Sequence, residues 1–125
     1  MRSTDPCPCG NDSVFGHCCL PLHVGEHQAA GAEELMRARY SAYATGNPDY
    51  VWASWHPRTR PAQLDIDQGP QWLGLRIVDT VAGRPGDDQG EVEFIARHDE
   101  GVLHERSRFS VRAGRWFYVD GDLLP

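Results

Sequence analysis

All four cysteines of the chain fall in one stretch, CPCGNDSVFGHCC, from Cys7 to Cys19. Cys7 and Cys9 flank a single proline, eight residues follow, and Cys18 and Cys19 are adjacent. Two close pairs joined by a short loop can fold back on each other so that four thiolates form a tetrahedron around one ion, the pattern of a small zinc knuckle. Gly10 and Gly16 give the loop backbone freedom for tight turns, and turn amides can donate to the sulfurs and disperse their charge. A redox centre would use C-x-x-C at a helix start, which this stretch lacks. A disulfide between adjacent cysteines would be strained, and the loop is very short for an iron–sulfur cluster. His17 and His23 lie near enough in sequence to replace one cysteine as ligand. Four protein ligands leave no open coordination position, so the expected role of Zn2+ is structural.

Charge narrows the remaining classes. The net charge is −6, and every basic side chain besides histidine is arginine. An acidic chain of this kind is a poor ligand for nucleic acid or anionic membranes, both of which call for a basic surface. No apolar run reaches the ~20 residues that span a bilayer, and the start MRSTDPCPCG lacks the apolar stretch of a signal peptide. The expected location is the cytoplasm, where thiols stay reduced.

C-P-C-G-N-D-S-(x4)-C-C resembles the SEC-C motif, the C-x-C-x8-C-[CH] zinc module at the C-terminus of the SecA translocation motor. The resemblance implies docking to a protein partner. The loop here, Asn11 to His17, carries none of the lysines usual in that motif, so the same acidic partner is not implied.

Beyond the knuckle, assigned to residues 1–23, residues 20–30 (LPLHVGEHQAA) show no clear period and read as a linker. A domain over 28–125 follows. From Ala32 an amphipathic helix is predicted, with Met36, Tyr40, Tyr43 and Ala44 on one stripe. Gly46 ends it, Asn47 caps a second short helix, and Pro48 occupies its first turn. That helix carries Val51, Trp52 and Trp55 and stops at His56-Pro57. After a connection over 58–71 the period changes to two, with Leu73, Leu75 and Ile77 alternating, then Val92, Phe94 and Ala96. Next, Leu103, Glu105, Ser107, Phe109 and Val111 share a face, and RWFYVD forms an aromatic final strand. Two helices and then four meandering antiparallel strands predict an α+β cone, a curved four-stranded sheet wrapped around the long helix.

That order resembles the nuclear transport factor 2-like (cystatin-like) cone. Locally, AEELMRARYSAYATGNPDYVWASWHPRTRP, GEVEFIARH, LHERSRF and GRWFYVDGD are similar to the YchJ family, small bacterial proteins with SEC-C cysteines on such a cone. The resemblance brings fold and zinc with it.

Strand alternation directs Glu105 and Ser107 inward with Phe109, and Arg39 lies on the helix stripe facing them. An Arg39–Glu105 ion pair in or near the cone mouth is expected, because a buried charge needs a partner. With Tyr43, His56, Ser107 and Tyr118, these two outline a candidate polar pocket for a small-molecule ligand. His104, Arg106 and Arg108 point the other way, toward Glu91, Glu93 and Arg97 on the neighbouring strand, as a charged ladder or a homodimer face. Trp52, Trp55, Trp72 and Trp116 are read as core. No nucleophile–base or phosphate-loop signature appears. The leading expectation is therefore a non-catalytic adaptor with a knuckle open to a protein partner. The alternative is an enzyme using Glu105 or His56 as acid or base, and no catalytic residue is assigned.

Overall fold

The computed structural model describes residues 1–66 and 69–125. A 3-10 turn at Phe15–His17 and a short helix α1 (Leu20–His23) close the knuckle. The long helix α2 (Ala32–Thr45) and the short α3 (Pro48–Ala53) follow, then strands β1 (Trp72–Ala82), β2 (Gln89–His98), β3 (Gly101–Arg112) and β4 (Arg115–Leu123). The strands form one antiparallel meander in the order β1-β2-β3-β4, curved against α2. This is the expected α+β cone. Part of the 58–71 connection, at 67–68, lies outside the described residues. No described helix is long and apolar enough to cross a membrane.

The helix punctuation follows residue chemistry. Gly46 ends α2 in the left-handed conformation, φ 72°, which costs glycine no side-chain clash. Asn47 Oδ1 accepts from the Tyr50 N–H, the N-cap contact that starts α3. At the other end of α2, the Ala30 N–H donates to Glu34 Oε1, a reach-back that satisfies a donor just before the helix. The Ala32 N–H donates to the Gly83 carbonyl at 2.9 Å and ties the helix start to the β1–β2 corner. There, a Cβ on Gly90 would collide with the Gly83 backbone, so the close approach requires glycine.

Four expectations need correction. Residues 20–23 form α1, not linker: Pro21 suits a first turn, and Leu22 is buried. A single turn is too short to display a period. Second, α3 stops at Ala53, and Trp55 instead bridges to Tyr118 of β4, with Tyr118 N–H donating to Ser54 O and His56 N–H to Tyr118 O. Third, Leu73 faces solvent, 51 % exposed, while Leu75 and Ile77 are half-buried. Register passes from Trp72↔His98 to Gly74↔Arg97, so Leu73 is the extra residue of a β-bulge, and Val78 is another. The first bulge returns Trp72 to the inner face, edge-on to Tyr40 and Tyr43. Fourth, Trp52 is not core: it is 43 % exposed, and the Arg60 guanidinium stacks over its ring.

One continuous core results. Val92, Phe94, Ala96, Phe109 and Trp116 from the sheet pack with Leu35, Met36 and Tyr40 of α2, and Cys7, Cys9, Phe15, Cys19 and Leu22 join the same cluster. Helix α2 is therefore covered on two sides. Tyr40 meets sheet residue Trp72 while Ser41 meets the knuckle sulfurs, which is why the helix shows more than one buried stripe.

Candidate functional site

The knuckle is shaped by its own backbone. The Cys7 N–H donates to Ser13 O, the Gly10 N–H to Cys7 O, and the Cys18 N–H to Phe15 O. Gly10 sits at φ 87°, turning the chain between the ligand pairs. The result brings all four Sγ atoms within 4.8 Å of one another. Cys9 and Cys18 sulfurs lie 3.6 Å apart, and those of Cys18 and Cys19 lie 3.9 Å apart. A tetrahedron with Zn–S bonds of ~2.3 Å places its sulfurs ~3.8 Å apart. The donor set and its spacing thus fit a four-thiolate metal ion.

The surroundings support the same reading. Ser41 Oγ donates to Cys19 Sγ at 3.2 Å and lies 3.6 Å from Cys7 Sγ, while Asn11 Nδ2 approaches Cys18 Sγ at 3.8 Å. Such contacts orient ligand sulfurs and spread their charge. Arg37 Nη1 donates to the Cys9 carbonyl at 2.7 Å and joins the knuckle to α2. In the bare thiols, the hydrogen bond from Cys19 lowers Cys9 to about 5. Burial raises Cys18 to about 12, and Cys19 is raised by donating to Cys9 and by burial. Full ionisation therefore needs a cation among them.

Neither histidine enters the cluster. His23 Nε2–H donates to the Ala38 carbonyl at 2.8 Å, and its ring packs on Phe15 and Tyr50. Burial lowers its pKa. His17 is exposed.

A second feature lies under the curved sheet. Between α2, Trp55 and the strands is a cavity of about 270 Å³. Arg39, Tyr43, Glu105, Ser107 and Tyr118 all line it. So do Tyr40, Trp55, Trp72 and Phe94, giving largely aromatic walls. His56 does not: its ring packs against Phe117, outside the cavity lining. Trp55 takes the place expected for His56. Nothing in the local pattern marks it, because its position depends on the bridge to Tyr118.

The expected Arg39–Glu105 ion pair is absent among the described residues. Arg39 is 4 % exposed, yet its Nη1 donates to Val51 O at 2.8 Å and Ser54 Oγ at 2.7 Å. Its guanidinium carbon lies 4.4 Å from the Tyr118 ring centroid and 4.9 Å from that of Trp55. A backbone carbonyl, the Ser54 hydroxyl and ring faces thus satisfy the cation in place of the expected carboxylate. Burial is the main influence on Arg39 and pulls its pKa down. Glu105 Oε2 accepts instead from Ser107 Oγ at 2.6 Å and from the Tyr118 hydroxyl at 3.1 Å. Tyr118 links the two charges, ring under Arg39 and hydroxyl on Glu105. Burial first, and then Glu105, push its hydroxyl pKa up.

The outer sheet face is the expected charged ladder, with further members. Arg106 pairs with Asp79, Glu91 and Glu93, His104 with Glu93, and Arg108 with Asp120 and Asp122. Arg97 instead donates to the Leu73 carbonyl.

The family described as "YchJ, middle NTF2-like domain" matches residues 31–121. The chain belongs to the YchJ family. YchJ-like relatives extend the match over the knuckle. A UPF0225 protein of Streptomyces coelicolor is 48% identical over 121 residues, covering 97% of this chain and 98% of that protein. A UPF0225 protein of Xanthomonas campestris is 48% identical over 124 residues, 94% of each chain. The solution structure of a SEC-C motif containing protein from Rhodopseudomonas palustris superposes with a TM-score of 0.82 at 34% identity, covering 95% of this chain and 98% of that one. The superposition on that neighbour spans both the knuckle and the cone of this chain.

Proposed function

We propose that this protein is a non-catalytic binding protein in which zinc fastens the knuckle to α2 and the cone cavity holds a small organic ligand. The observation that carries this reading is the preformed aromatic cavity with Glu105 already held by two donors. A carboxylate fixed by Ser107 and Tyr118 is prepared to accept a hydrogen bond from a ligand. Arg39, pinned to α3 and stacked on two rings, serves as a fixed part of the wall. For the metal, the four-sulfur donor set and the ~3.8 Å spacing favour zinc, held structurally with no open position. The exposed Asn11, Asp12 and His17 leave one side of the knuckle available to a protein partner, consistent with an adaptor role. Thiolate ligation of a metal needs reduced sulfurs, which supports a cytoplasmic location.

Native mass spectrometry of the gently purified protein tests the reading. The expected result is one zinc per chain and a small organic adduct that is released chemically unchanged. Iron in place of zinc overturns the metal assignment. Release of an altered molecule on incubation identifies an enzyme instead.

A further inference from the structure

The cavity's inner chemistry selects among ligand classes, given that the cavity is a binding site as proposed above. Its volume of about 270 Å³ is near the lower end of ordinary ligand pockets, which start at roughly 300 Å³, and so suits one or two fused rings. Tyr40 and Tyr43 stand edge-on to Trp72, with centroids 6.1 and 6.4 Å from it. Walls of this kind favour a flat aromatic body.

Charge comes next. Arg39 and Glu105 both line the cavity and carry opposite signs. A ligand of either charge would meet a like charge in the same low-dielectric space, and an uncharged one meets none. The unfilled hydrogen-bonding capacity is mixed. Both donors on Glu105 bind Oε2, so Oε1 meets no donor among the described residues. Beyond α3, the buried indole N–H of Trp55 has no acceptor among the described residues. Buried polar groups are rarely left without partners, so this N–H leaves room for a ligand acceptor.

We infer that the cavity binds a small, uncharged, planar heteroaromatic molecule that offers a hydrogen-bond donor to Glu105 and an acceptor to the Trp55 indole N–H. A cyclic amide fused to an aromatic ring has this combination, with an N–H and a carbonyl on one flat body. The aromatic walls take the ring faces, and the Arg39–Glu105 balance excludes charged analogues of the same size.

The test uses the zinc-loaded full chain and three probes of similar size: 2-quinolone, 1-naphthoate and 1-naphthylmethylammonium. Affinity is read by calorimetric titration, and location by the shift of the Trp55 indole N–H signal in 15N-labelled protein. The expected result is saturable 2-quinolone binding that moves the Trp55 signal and is at least about tenfold tighter than either charged probe. Glu105→Leu is expected to weaken 2-quinolone roughly tenfold or more. Because that variant also strands Ser107 and Tyr118, Trp55→Phe is the second arm, keeping a ring while removing the N–H. It is expected to weaken 2-quinolone about five- to tenfold. Equal or tighter binding of a charged probe overturns the ligand class while leaving the cavity a binding site. Binding of 2-quinolone that is unaffected by both variants, or no saturable binding of any probe, also overturns the inference. The adduct seen or not seen by native mass spectrometry then decides separately whether the cavity is a binding site.

Discussion

The knuckle and the cone cavity are both convergent clusters of chemically active side chains, yet they are assembled in opposite ways. The four sulfurs come from one short stretch, and the turns between them need only local hydrogen bonds and Gly10. The cavity draws Arg39 from α2, Trp55 from beyond α3, Glu105 from β3 and Tyr118 from β4. A local cluster can be read off spacing, because spacing sets its geometry. A dispersed cluster depends on register, bulges and bridges, each of which moves a side chain by a whole position. The two clusters meet on α2: Ser41 touches Cys7 and Cys19, while Arg39 and Tyr40 line the cavity.

Removing the metal should separate the two regions most clearly. Chelation, or Cys9→Ser, is expected to remove on the order of 10 kcal/mol of knuckle stability, as in other small zinc modules. Hydrogen exchange should lose protection through residue 23 while β2, β3 and β4 keep theirs. Equal loss in the sheet would show that the knuckle and the cone are a single cooperative unit.

A smaller effect is expected inside the cavity. Arg39→Met strips Ser54 Oγ of its donor and leaves the Val51 carbonyl only the longer Ser54 contact at 3.2 Å, and buried groups deprived of a partner cost about 1–3 kcal/mol, measured by urea denaturation. Zinc content should not change. Gly121→Ala tests the other wall, because its Cβ would collide with the Glu105 carboxyl. Overpacking of this kind costs about 1–3 kcal/mol, and a displaced Glu105 should also show as a changed Tyr118 environment in near-ultraviolet spectra.

Ser41→Ala acts where the regions join. It removes the hydroxyl on Cys19, at about 1 kcal/mol for a hydrogen bond, and is expected to weaken zinc retention in a chelator competition without altering the cavity.

The outer face supplies the smallest expected effect. Hydrogen bonding to Glu93 holds the His104 pKa above its ordinary 6.5, and His104 holds Glu93 below its ordinary 4.5. The histidine contribution is complete below 6.5 and is lost as pH rises through its raised folded value. The glutamate contribution is complete above 4.5 and is lost as pH falls through its depressed value. The pair therefore contributes fully between those limits, and His104→Gln should flatten the decline in stability on the alkaline side, read by denaturation at several pH values.

Much of this molecule is written in its residues, and the exceptions have physical causes. The clustering of the four cysteines, the Gly46 stop, the Asn47 cap and the inward Val92-Phe94-Ala96 series all depend on neighbours in sequence. Arg39 does not pair with Glu105 because its guanidinium donates to the Val51 carbonyl and the Ser54 hydroxyl and stacks on ring faces, partners that a pattern of charges does not mark. Leu73 departs from the inward series because a period of two cannot say which residue a bulge will eject. His56 and Trp55 exchanged places for a related reason: the bridge to Tyr118 replaces the last helical turn, and no local signal encodes it.

The two bulges in β1 have a further consequence. An edge strand with apolar Leu73 and Val78 facing solvent is a template on which another chain could add a strand and begin to aggregate. Extra residues at those two positions break the even spacing such an addition would need and twist the edge out of plane. Between them, Gly10 of the knuckle lies against the Leu75 carbonyl. The knuckle thereby also covers part of the sheet's open margin.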